Sequence, residues 1–134
     1  MSEATNVATM IAGLDVGVTR SARAEGMAKL TPIHRETVVG LPGGTEQEIR
    51  VLTATLLPGD ETPYHSHRHP VTVYVTEGVF TLALDGREPI EISAGQAFVE
   101  PAHVRMTGRN LGHQPANMAL FFVCAPETPF ADPA

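Results

Sequence analysis

Apolar and polar positions alternate in short runs along the second two-thirds of the chain, and each run ends at a turn signal. Glu48 to Leu57, EIRVLTATLL, is rich in β-branched residues with partial alternation and stops at Pro58-Gly59, which predicts a core strand. Thr62 to His67 reads as a short extended piece broken by Pro70, and Val71 to Thr76 continues as a second strand up to Glu77-Gly78. Val79 to Leu84 and Glu88 to Ile92 flank Asp85-Gly86, a hairpin signal that makes the two arms antiparallel neighbours. Short strands are expected over Gln96 to Glu100 and Val104 to Arg109, and a more apolar one over Asn117 to Cys124, NMALFFVC. Side chains two apart on a strand share a face, so Val71, Val73 and Val75 are expected to line the interior with Phe80, Leu82 and Met106. Many short strands with turn residues between them predict an all-β sandwich or barrel.

The flanks are weaker. Residues 1–30 are rich in Ala, Ser, Thr and Gly with little periodicity, which predicts a flexible arm or one short helix around Ser21 to Lys29. Thr31 to Val39 reads as a strand at a sheet edge, and Leu41-Pro42-Gly43-Gly44 as a turn. The barrel is expected over residues 31–125. Residues 126–134, with three prolines, are expected to wander over the surface.

Composition removes several classes of function. The 134 residues suit one domain, and the net charge of −6 with no stripe of Lys or Arg argues against a nucleic-acid partner. No apolar stretch approaches the roughly 20 residues that span a bilayer, and Glu3 and Asp15 interrupt the beginning of the chain where an export signal would stand; a cytoplasmic protein with no membrane partner is expected. The single Cys124 cannot form an internal disulfide and reads as a small apolar residue of the last strand. No phosphate-cradling glycine loop or nucleophile in a recognisable setting occurs.

The chemistry concentrates in Gly59 to Gly78, GDETPYHSHRHPVTVYVTEG, with three histidines in five residues. His65 and His67 point the same way on an extended chain, so two imidazoles converge. Gly59, His65, His67 and Gly78 stand where the first motif of the cupin family, G-x5-H-x-H-x3-E-x6-G, places them, and Val71 stands where that motif has its glutamate. Gly95, Pro101 and Asn110 resemble the second motif, G-x5-P-x-G-x2-H-x3-N, with His103 in place of its glycine and Met106 in place of its histidine.

The resemblance covers roughly residues 35–125 and is nearest to small single-domain bacterial cupins. It implies a double-stranded β-helix, or jelly roll, and a divalent metal (Zn, Ni, Fe, Mn or Cu) inside the barrel. Only His65 and His67 of the metal set are retained. His69, which keeps their parity, His103 and Met106 are the candidates to complete it, a thioether beside imidazoles suiting copper(I). The surface, turn and core readings of those three compete with ligation. Glu61, Glu77 and Glu100 are candidate proton shuttles, and His34 and His113 read as surface residues. The expected function is to bind a small organic molecule in the barrel, on a metal at the His-x-His pair, with its oxidation or isomerisation as the chemistry. The alternative is a metal-free binder or sensor. The resemblance also implies a homodimer formed through sheet edges, and Thr31 to Val39 reads as an edge strand to exchange or pair.

Overall fold

A computed structural model describes residues 26–134. The chain divides into two units, Met1–Arg35 and Glu36–Ala134. Most of the N-terminal arm, and most of the short helix expected at Ser21 to Lys29, lie outside the described residues. Residues 26–47 contain no strand, so the expected edge strand at Thr31 to Val39 is not formed. Pro32, Gly40 and Pro42 punctuate that stretch.

Among the described residues nine strands follow: β1 Glu48–Leu56, β2 His65–Ser66, β3 Val71–Glu77, β4 Val79–Leu84, β5 Ile90–Ser93, β6 Ala97–Glu100, β7 Met106–Arg109, β8 Ala116–Cys124 and β9 Asp132–Pro133. They make two sheets, in the orders β1-β8-β3-β6 and β5-β4-β7-β2-β9. Every pairing is antiparallel. No helix occurs among the described residues, and none is therefore long and apolar enough to cross a membrane. This is the all-β jelly roll expected from the sequence.

Alternation does the sorting. On β3, Val71, Val73 and Val75 are buried while Thr72 and Tyr74 are only half-buried. On β8, Met118, Leu120, Phe122 and Cys124 face the same interior. The opposing sheet contributes Phe80, Leu82, Leu84, Ile92 and Met106. Fully burying a Val, Leu, Ile, Phe or Met side chain is worth about 1.5–3 kcal/mol, so these two faces hold the sheets together.

Turns set the registers. The Asp85-Gly86 hairpin pairs Val79 with Ser93 and Leu82 with Ile90, as the sequence predicts. Gly78, at φ 77°, carries the chain from β3 into β4, and a Cβ there would collide with the carbonyl of Pro115. Asn110, fully buried, donates through Nδ2 to the carbonyls of Leu56 and Gln114, each at 2.8 Å, and its Oδ1 accepts from the Gly112 amide. It ties together the turns at one end of the barrel.

The end of the chain departs from expectation. Residues 126–134 do not wander: β9 pairs with β2, Pro133 opposite His65 and Asp132 opposite Ser66. Thr128 accepts from Arg50 through its carbonyl at 2.7 Å, and Arg68 holds Asp132 with two hydrogen bonds of 3.0 Å. The two prolines flanking Phe130-Ala131-Asp132 lack backbone donors, and an edge position is where a sheet accepts such a segment.

Candidate functional site in the barrel

Between the sheets lies a cavity of about 410 Å³. Its walls are mainly apolar, with Leu56, Phe80, Leu82, Met118 and Leu120 among them, and the C-terminal residues Phe130, Ala131 and Pro133 complete them. Gly108 leaves room for the Phe80 ring, which sits where a side chain at that position would be. Among the described residues, the ionisable ones of the lining are His65, His67 and Glu100, with no Lys, Arg or Asp.

The parity argument for the first two holds. His65, on β2, and His67, just beyond it, both face the cavity, with ring centroids 4.8 Å apart in an edge-to-face arrangement. Each has its Nδ1 against a backbone carbonyl, His65 on Pro63 at 2.6 Å and His67 on Phe130 at 2.8 Å. These carbonyls hold the rings, while the neighbouring hydroxyls are engaged elsewhere: Tyr64 donates to Asp85, and Thr62 accepts from the Gly108 amide.

Glu100 is the residue that changes the site. It is 5% exposed, and its Oε1 lies 3.1 Å from His67 Nε2. On the sheet Glu100 stands directly opposite Val71. The carboxylate that the first motif lacks at Val71 is thus offered one strand away, on the same inward row.

His67 has an acceptor at each nitrogen, so the doubly protonated ring is the form that satisfies both contacts. Burial weighs most strongly, and it opposes that charge. The Glu100 hydrogen bond, the Phe130 carbonyl and the charges of Glu100 and Asp132 together outweigh it, and the His67 pKa lies above its ordinary value. Arg68, through its hydrogen bond and charge, holds Asp132 below the usual carboxylate range, which keeps the C-terminal segment anionic beside His67.

The other candidates stand apart from the cavity. His69 turns its Nδ1 to the carbonyl of Gly40 at 2.8 Å. His103 is exposed, at φ 64°, in the backbone position the motif reserves for glycine; its amide donates to the His67 carbonyl at 2.7 Å. Met106 sits across from His65 in the β2–β7 pairing but is fully buried in the core, and with Val71, Val73 and Val75 it packs without lining the cavity. Glu61 and Glu77 are exposed. Among the described residues, no three His, Cys, Asp or Glu side chains are gathered closely enough to hold a metal ion.

Two participants were not legible as such. Glu100 was one of three comparable glutamates, and only the β3–β6 register sets it against His67. Phe130 gave one signal, a lone aromatic residue in a proline-bounded tail. Its ring lies 4.9 Å from that of His67 and 5.3 Å from that of Phe122.

The family model for the cupin domain matches residues 52–124. No curated protein matches the chain. Among solved structures, an RmlC-like cupin from Shewanella frigidimarina is 29% identical, with a TM-score of 0.52 over 60% of this chain and 69% of that one. An RmlC-like cupin from Methanocaldococcus jannaschii with a double-stranded β-helix fold is 21% identical, with a TM-score of 0.57 over 79% and 96%. The DMSP lyase DddQ from Ruegeria pomeroyi is 16% identical, with a TM-score of 0.55; 60% of this chain aligns with it and spans 41% of the lyase's length. With more than half of its length matched by the domain model, this chain belongs to the cupin family.

Proposed function

We propose that the barrel takes an uncharged small organic molecule with an apolar body and one hydrogen-bonding end, held by the His67–Glu100 pair. The observation that carries this reading is the placement of that buried pair on the wall of an otherwise apolar cavity of about 410 Å³. At ~30 Å³ per water, the space equals on the order of a dozen waters, a small-ligand site at the low end of the usual range. The pair neutralises itself, and among the described residues no Lys or Arg lines the cavity to hold a carboxylate or phosphate. An anionic substrate would enter with its charge uncompensated.

The chemistry such a pair supports is proton transfer, with Glu100 as base and His67 as the group that keeps its charge compensated. Isomerisation of the bound molecule follows more directly from it than oxidation does. A thermal-shift screen in the presence of chelator tests the reading, because a ligand that binds only the folded state raises its apparent stability. Uncharged ligands are expected to stabilise the protein and to lose that effect with Glu100→Gln. Stabilisation by small carboxylates alone would refute the proposal.

A second reading is favoured by the two Nδ1 contacts. Backbone carbonyls at Pro63 and Phe130 are the kind of partner that fixes the tautomer of metal-ligating histidines. The donor types of His65, His67 and Glu100 suit a divalent ion, but the three would have to draw closer than they stand to hold one; an ion bound there would supply Lewis acidity or redox chemistry. Metal content of untagged protein, before and after His65→Ala with His67→Ala, separates the two readings.

A further inference from the structure

A second cavity, of about 330 Å³, lies against the edge strand β6, and among the described residues it shares no lining with the barrel cavity. Residues 36–40 form one wall, β6 and the turn at 101–103 the other, and Arg87, just past the Asp85-Gly86 turn, borders it. The first wall is fixed in place. His69 donates through Nδ1 to the Gly40 carbonyl at 2.8 Å, and Gly40, at φ 93°, approaches the turn so closely that a Cβ there would stand 3.2 Å from that of Ala102. Val38, Val39, Val99 and Pro101 make the lining largely apolar. Among the described residues, its ionisable groups are Glu36, Arg87 and His103. Arg87 is the unusual one: its guanidinium lies 5.9 Å from the centroid of the Phe98 ring, and among the described residues it has no carboxylate partner, whereas Arg50, Arg68 and Arg109 each have one. A guanidinium stacked on an aromatic face is oriented while its N–H donors stay available. His103 holds an exposed imidazole at φ 64°, where glycine would be unstrained. Glycine would make the amide bond to the His67 carbonyl equally well, so the strain points to a use for the ring.

We infer that this cavity is a second ligand site, for a small monocarboxylate with an apolar body, in which Arg87 anchors the anion and His103 is a second hydrogen-bond donor. The planar fork of a guanidinium matches a carboxylate with two parallel hydrogen bonds, and the valine and proline walls suit a hydrocarbon body. At ~30 Å³ per water the space equals on the order of ten waters, the size of benzoate or hexanoate. Glu36 adds a carboxylate to the same lining, so a dianion or a phosphate is repelled more strongly than a monoanion. The charge preference is opposite to that of the barrel cavity, and the inference is independent of what the barrel holds.

NMR titration of the full chain with benzoate and with hexanoate tests it, with benzyl alcohol as the uncharged control. The Val38 and Val99 methyl groups and the Phe98 ring are expected to shift, with Met118 and the His67 ring in place and a dissociation constant of about 1 mM or tighter. Arg87→Gln should weaken binding by about tenfold, and Arg87→Lys, which keeps the charge and loses the fork, by about threefold. His103→Gly should weaken it by about threefold while raising the melting temperature, opposite signs that a merely structural role would not give. No binding of either carboxylate up to about 20 mM overturns the inference, including the case in which the chain's own N-terminal residues cover the cavity. So does benzyl alcohol binding as tightly, or affinity unchanged in Arg87→Gln or in His103→Gly. Carboxylate binding that moves Met118 and His67, and is lost with Glu100→Gln but kept with Arg87→Gln, belongs to the barrel and overturns it as well.

Discussion

Glu100→Gln isolates the interaction on which the site depends. His67 is 2% exposed and Glu100 5%, and their 3.1 Å contact has the cavity on one side. Removing one partner of a fully buried ion pair costs about 3–5 kcal/mol. Because water can reach this pair from the cavity, Glu100→Ala is expected at the low end, about 3 kcal/mol. Glu100→Gln keeps an acceptor for Nε2 and loses only the charge, so about 1 kcal/mol is expected. The pH dependence is the sharper part. The folded-state pKa of His67 lies above the value of about 6.5 of a free imidazole, so the stability it contributes is fully present below that pH and is lost as pH rises through the folded value. Urea unfolding at a series of pH values should therefore give a difference between wild type and Glu100→Gln that is largest below pH ~6.5 and shrinks above it. Parallel profiles, or a His67 NMR titration that does not move in the variant, would refute the pairing.

Other consequences follow from single backbone or side-chain facts. His103→Gly should stabilise the fold by about 0.5–1 kcal/mol, read as a rise in melting temperature, because the residue adopts φ 64° where glycine carries no Cβ penalty. Gly78→Ala should destabilise by about 2 kcal/mol or more in the same measurement, since it adds a collision with the Pro115 carbonyl to an unfavourable φ. A chain ending at Thr128 loses the wall made by Phe130, Ala131 and Pro133; it should bind apolar dyes more strongly than wild type and lose ligand stabilisation.

The strands were legible because alternation is a local property: β1, β3, β4 and β8 begin and end within a residue or so of where the pattern places them. The strands expected over Glu88 to Ile92 and Val104 to Arg109 begin two residues late, at Ile90 and Met106, because residues 88–89 and 104–105 lead out of the turns at 85–86 and 102–103 without joining a ladder. The convergence of His65 and His67 was legible for the same local reason. Glu100 was not, because its meaning comes from β6 lying against β3 with Val71 opposite, a register set by packing. The tail was misread because prolines argue against a central strand, and β9 is an edge strand closed by the Arg68–Asp132 pair. Thr31 to Val39 departs in the opposite sense: a strand is expected there and none forms.

The central claim is that the cavity walls and the His67–Glu100 pair form one binding site. Methyl and imidazole NMR on a single sample, titrated in chelator with an uncharged ligand from the thermal-shift screen, tests it most directly. The account predicts concerted shifts of the Met118 and Leu82 methyl groups and of the His67 ring, with Val123 and Ile49 on the outer face unmoved. Binding that moves the outer-face signals and leaves His67 and Met118 in place would contradict it.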